Sequence, residues 1–332
     1  MSCKMGNGNG PSDSEQKEKC ILCNSHDSPT PAGINTIFDF QRTVYFCESC
    51  RLYFLGAQPA PAELEKFYTE NYYSAPENSG LIYKLRSRFS QVRAWSQYLF
   101  MHRIIGRTGS EPGKSILEVG SSDGVLLAIF RSHGWKIRGL EYSEFSVRKA
   151  RETRHIELER KDILDLDPDA EKFDCIVLSH SLEHMNDPVG VLEHCKRLLS
   201  PHGHIFVELP LAPLAAECTT EELGLYLNTT HLYDFRPDSL EKLACAAGLK
   251  KVALARYFYH IPAFFNRYSA AVGKSLMIGT LPLSHPLELG AVLCTAVVIN
   301  ARFTAHADPM MPVDIDAPWA GFGDVLRIIL EK

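Results

Sequence analysis

Between residues 114 and 258 short apolar runs alternate with amphipathic stretches, and this rhythm restricts the possible folds more than any other feature of the chain. Runs at 115–119, 136–140, 156–160, 173–178, 204–209 and 250–258 read as strands, and the periodicity of 124–133, 145–153, 189–199 and 237–247 reads as helices. Strands joined by helical crossovers pair in parallel and are covered on both faces. The expected architecture is therefore α/β, with a doubly wound, mostly parallel sheet. A later apolar run at 291–303 predicts a final antiparallel hairpin with 250–258, and 261–290 is then an insertion between its arms. Upstream, Leu85, Phe89, Val92, Trp95, Leu99 and Ile104 recur every three or four residues and predict a helix over 80–106.

A chain of 332 residues with 45% apolar content has material for one large core and a smaller unit beside it. With 35 basic against 40 acidic residues there is no sustained positive field, which argues against nucleic acid as the principal partner. No run reaches the roughly 18 apolar residues that a membrane helix needs, so no membrane partner is expected. Residues 1–18 are polar and predict a disordered tail without a secretory signal. Ten cysteines in such a chain point to a reducing, cytoplasmic setting.

Four of those cysteines form two Cys-x-x-Cys pairs, Cys20 with Cys23 and Cys47 with Cys50, separated by 23 residues. Four thiolates with no open position suit a structural zinc ion, which supplies folding energy to a segment too short for a core of its own. A redox-active dithiol is the alternative. The remaining cysteines are expected to be inert. The division that follows is a tail over 1–18, a zinc-ribbon-like module over 19–58, a helical linker and substrate-site cover over 59–110, and a catalytic domain over 111–332.

In open α/β sheets ligands bind at the carboxyl ends of the strands, beginning with the first strand-to-helix turn. That turn reads Glu118-Val-Gly120-Ser121-Ser-Asp123-Gly124. Its glycines permit a sharp turn, but the spacing is not that of a dinucleotide loop, and Glu118 and Asp123 would repel a pyrophosphate. Two carboxylates suit the ammonium and sulfonium charges of S-adenosylmethionine. Glu141, closing the second strand, is the expected acceptor for the ribose hydroxyls. Asp162, after the third strand, is placed to take the adenine amino group, with Ile163 packing on the ring. The fourth strand runs into Ser179-His180-Ser-Leu-Glu-His184, which should floor the pocket near the methyl group.

Taken in this order, these residues resemble the class I S-adenosylmethionine-dependent methyltransferases over about residues 114–258. The resemblance implies a Rossmann-like fold and that cofactor, and says nothing of the acceptor. The segment after the second cysteine pair is similar to the zinc-binding N-terminal part of methyltransferases acting on nucleotide-linked deoxysugars. That likeness implies a small-molecule acceptor, a sugar or nucleotide sugar, with Tyr68, Tyr72 and Tyr73 walling its site. Another small natural product is an alternative acceptor.

Methyl transfer to an acceptor that is not yet nucleophilic needs a base, and the candidates are His180, His184 and His231. His231 matches the base of the carbon-methylating sugar enzymes. Asn228 and Thr230, however, stand where their motif has Tyr and Glu, so oxygen methylation is equally admissible. Two other readings remain: a cofactor-binding scaffold with a zinc interaction module, and a nicotinamide-dependent reductase, which the acidic turn disfavours. The oligomeric state is left open.

Overall fold

The structure is a computed structural model that describes residues 18–24, 29–37, 41–67, 81–105, 113–258, 311–313 and 324–332. Residues 1–17 of the expected tail, Tyr68, Tyr72, Tyr73 and the segments 261–290 and 291–303 lie outside the described residues. The chain opens with three antiparallel strands, β1 (Pro29–Asn35), β2 (Arg42–Cys47) and β3 (Leu52–Leu55), then α1 (Pro61–Phe67) and the long α2 (Leu81–Ile105). The alternating series follows: β4 (Ser115–Val119), α3 (Val125–Ser132), β5 (Lys136–Leu140), α4 (Glu144–Arg154), β6 (Phe173–Ser179), α5 (Pro188–Leu198), β7 (Leu199–Pro210), α6 (Thr220–Leu227), β8 (Tyr233–Asp234), α7 (Pro237–Ala246) and β9 (Lys250–Phe258). Two later strands are β10 (Met311–Val313) and β11 (Asp324–Glu331).

Seven strands form the main sheet in the order β10-β9-β11-β7-β6-β4-β5. Strands β5, β4, β6 and β7 pair in parallel, as short apolar runs joined by helices require. Ile116, Leu117, Ile176, Val177, Phe206 and Val207 are fully or almost fully buried at its centre. At about 1.5 to 3 kcal/mol for each large apolar side chain, this burial is the main force holding the layers together. Helix α2 lies on one face, where Tyr98 meets Phe130 of α3 edge-on at 5.2 Å.

One expectation needs correction. Residues 156–160 form no strand: Glu159 makes one isolated bridge to Leu140, while Ile156 and Leu158 are buried without a ladder. The arm predicted to pair with β9 in a terminal hairpin, 291–303, lies outside the described residues. Among the described residues β9 pairs antiparallel with β10 on one side and with β11 on the other, and β11 inserts between β9 and β7 and pairs with both. Its Arg327, fully buried, donates to Glu208 of β7 at 2.6 Å and to the carbonyl and hydroxyl oxygens of Ser96 in α2. It also stacks over Tyr257 at 4.3 Å. Gln97 donates to the other Glu208 oxygen at 2.7 Å. Burial alone would push the Glu208 carboxyl up, but Arg327 and His180 outweigh it and hold the group well below the usual carboxylate range.

The three N-terminal strands make a second sheet, and its fourth strand is β8, in the order β1-β2-β3-β8. The cysteine module thus closes on a strand from the catalytic part of the chain.

Candidate active site

The glycine turn after β4 needs three left-handed residues, Gly120 (φ 73°), Ser122 (φ 51°) and Gly124 (φ 73°). Glycine is required at 120, because any Cβ there would be strained and would press on the Ser181 Cβ at 3.2 Å. This contact joins the turn to the segment after β6. Glu118, Gly120, Ser121, Asp123 and Ser179 line one cleft together with Ser90, Arg93 and Gln97 of α2. The sequence reading missed these three helix residues, although their spacing puts a polar stripe on one face of a predicted helix. Gln97 donates to the Ser179 hydroxyl at 2.7 Å.

Electrostatics in the cleft differ from the sequence-based expectation. Asp123 is taken up by Lys149 at 2.6 Å and Arg154 at 3.3 Å, both from α4. Burial, reinforced by Asp123 and Glu141 and only partly offset by Arg93, pushes the Glu118 carboxyl up to about 8. One Glu118 oxygen is buried with no hydrogen-bond partner. Two free negative charges do not face the cleft. It offers one paired carboxylate, Asp123, and one carboxyl, Glu118, that burial disfavours in its charged form.

Glu141 accepts from the Ser122 amide at 2.7 Å and the Ser143 amide at 2.8 Å, so the end of β5 is tied to the glycine turn. Asp162 caps the short turn Ile163–Asp165 through the Leu164 amide and accepts from the Tyr142 hydroxyl at 3.0 Å. Ile163, expected to pack on the adenine ring, is 2% exposed and sits in the core. Exposed apolar surface at this point comes from Tyr142 and Leu164.

Beyond Ser179 the chain passes through His180, whose φ of 51° is left-handed, into Glu183 and His184. His231 joins them from the loop between α6 and β8, and one ligand atom each of Glu183, His184 and His231 lies within 4.8 Å of the others. His184 and His231 meet edge-on, with ring centres 5.1 Å apart. The His184 Nδ1 contacts the Thr230 carbonyl at 3.0 Å, and the His231 Nδ1 contacts Asp234 at 2.6 Å. Glu183 is 1% exposed, and both its oxygens lack a hydrogen-bond partner; His180 approaches one of them at 3.6 Å. The two neighbouring imidazoles diverge. Burial dominates at His184 and lowers its pKa. At His231 burial is opposed by the charge and hydrogen bond of Asp234 and by Glu183, with a net rise. All three histidines expected from the sequence gather here, but Asp234 carried no signal that the sequence reading used. Asn228, in place of the Tyr of the sugar-enzyme motif, accepts from the Thr36 amide at 2.9 Å and so docks the loop on the cysteine module.

In that module Cys20, Cys23, Cys47 and Cys50 bring their sulfurs within 4.8 Å of one another. The two pairs have the same local geometry. The Asn24 amide donates to the Cys20 carbonyl at 2.9 Å and the Arg51 amide to the Cys47 carbonyl at 2.7 Å, with Asn24 and Arg51 both left-handed.

A family profile described as "Methyltransferase domain" matches residues 86–254. The ubiquinone biosynthesis O-methyltransferase of Coxiella burnetii (strain RSA 331 / Henzerling II) is 29% identical over 160 residues, 45% of this chain and 68% of that protein. Its namesake in Acinetobacter baylyi is 28% identical over 166 residues, 46% of this chain and 70% of that protein. Among solved structures, a SAM-dependent methyltransferase from Archaeoglobus fulgidus aligns at a TM-score of 0.43 and 14% identity, covering 71% of this chain and 99% of that one.

Proposed function

The chain belongs to the methyltransferase-domain family and is an S-adenosylmethionine-dependent methyltransferase, and from that premise we propose that it methylates a hydroxyl oxygen of a small-molecule acceptor, with His231 as the base. The observation that carries this reading is the 2.6 Å contact between His231 and Asp234 beside the buried Glu183, on a segment that touches the glycine turn through Ser181. Glu118, Gly120, Ser121 and Ser179 would line the methionine end of the cofactor, while Glu141 would hold the ribose and Asp162 with Tyr142 the adenine. Asp123, held by Lys149 and Arg154, also lines the cleft, and Gly124 shapes the turn. Bound there, S-adenosylmethionine supplies an electrophilic methyl group. His231 takes the acceptor's hydroxyl proton, and the carboxylates of Glu183 and Asp234 stabilise the cation this creates. His184, kept neutral by burial, and His180 complete the wall as hydrogen-bonding groups.

The lack of the Tyr and Glu of the carbon-methylating motif, together with relatives named as O-methyltransferases, supports oxygen over carbon. The nucleotide-linked sugar expected from the cysteine module finds no counterpart among those relatives, so the acceptor class is drawn to include phenols as well as sugars. The four clustered thiols fit a structural zinc ion in their number, closeness and paired turn geometry, with Cys20, Cys23, Cys47 and Cys50 as its ligands.

A turnover screen of phenols, sugars and nucleotide sugars with methyl-labelled cofactor tests the proposal. Label is expected on an acceptor oxygen. Label found only on carbon, or thermal stabilisation by NAD and not by S-adenosylhomocysteine, overturns it.

A further inference from the structure

We infer that Asp234 is the positioning residue of the base, fixing the His231 ring with its proton on Nδ1 and its lone pair on Nε2. The inference rests on the reading of His231 as the base. Its geometric ground is the 2.6 Å contact between His231 Nδ1 and the Asp234 carboxylate. A carboxylate can only accept, so the shared proton belongs to Nδ1, and the neutral ring must then present Nε2 unprotonated.

Neither partner is free to swing away. Asp234 belongs to the two-residue β8 and is paired with Tyr53 of β3. The Leu55 amide donates to the Leu232 carbonyl at 2.8 Å, and the Leu232 amide donates to the Glu183 carbonyl at the same distance. Asn35 of β1 donates to the Thr229 carbonyl at 2.6 Å. Strands from the cysteine module therefore hold both ends of the short segment that carries the pair. Their role in catalysis is to keep a ring in register, with no contact to the reacting atoms.

The groups facing His231 are Asp234 from its own segment, Glu183 and His184 from the segment after β6, and Tyr226 from α6 at a ring distance of 6.4 Å. His180 stands behind Glu183 at 3.6 Å. Of these, Asp234 alone contacts the Nδ1 edge. Removing its charge should therefore lower the ring's affinity for a proton, while removing His184 or Tyr226 should not.

The test is the titration and tautomer of His231 in full-length protein, read from ring nitrogen shifts with labelled histidine, and it needs no acceptor. In wild type the neutral ring is expected to carry its proton on Nδ1. Asp234→Asn, which keeps the shape and an accepting oxygen, is expected to move the titration midpoint about one pH unit lower. An unmoved midpoint overturns the inference, and so does a neutral wild-type ring with its proton on Nε2. The tautomer in wild type decides the matter even if Asp234→Asn does not fold. Failure of the base assignment shows up separately, as retained turnover in His231→Ala with the tautomer and midpoint as expected.

Discussion

The cleft beneath the glycine turn and the histidine cluster beside it are built in opposite ways. The strand-end groups of the cleft, from Glu118 to Ser179, sit at or just past the carboxyl ends of the parallel strands β4 and β6. The histidine cluster draws on the segment after β6, the loop before β8 and, for its support, strands β1 and β3 nearly 200 positions away, as in the contact of Asn35 with Leu227 at a separation of 192. A site made of consecutive loops can stay constant while acceptors change. A site held by a separate module can change with the acceptor.

Four experiments would break or sharpen this contrast. His231→Ala should lower turnover by about 100- to 10,000-fold and leave affinity for S-adenosylhomocysteine unchanged. Parallel loss of both in kinetics and calorimetry would mean that the two regions are not separable. Cys47→Ser should bring metal content below about half an equivalent and destabilise the protein by about 3 kcal/mol, a quarter of the roughly 10 to 16 kcal/mol that a structural zinc supplies. Metal analysis with thermal unfolding measures this, and an undisturbed His231 signal in the variant would uncouple module from site. Glu141→Ala should weaken cofactor binding by about 1 to 3 kcal/mol and spare the histidine cluster.

The smallest effect concerns Glu118. Its carboxyl, raised to about 8 by burial, is mostly protonated at neutral pH before the cofactor binds. A bound ammonium favours the ionised form, so binding expels a proton. Affinity should then rise with pH, by at most about tenfold per unit, and level off above about 8. Calorimetry of wild type against Glu118→Gln isolates this component, because the variant should lack it. Equal slopes would mean that Glu118 does not sense the cofactor.

How legible each part was follows from its construction. The cofactor side could be read because each residue stands at the end of a periodic run, and periodicity is local. The reading erred where local pattern and ladder formation part company. Residues 156–160 alternate like a strand because Ile156 and Leu158 are buried, yet they gain no partner beyond one bridge. Charge was misjudged for the same reason: Asp123 looked free in sequence, and its cations arrive from α4, 26 and 31 positions on. Arg327 interrupts an apolar run, and its explanation, Glu208, lies 119 positions earlier. Asp234 follows His231 by three residues in a stretch without period, so nothing in the sequence set it apart from a solvated loop acid.

The place of β11 bears on how the molecule comes into being. A nascent chain emerges amino end first, and β7 and β9 are complete long before β11 exists to lie between them. Until then Glu208 has no Arg327, and α2 lacks the guanidinium that reaches Ser96. A buried carboxylate without its cation costs several kcal/mol. Direct pairing of β7 with β9 would leave Glu208 without the Arg327 guanidinium that now lies against it. The slot between β7 and β9 is thus matched to one strand by one ion pair, Arg327 with Glu208.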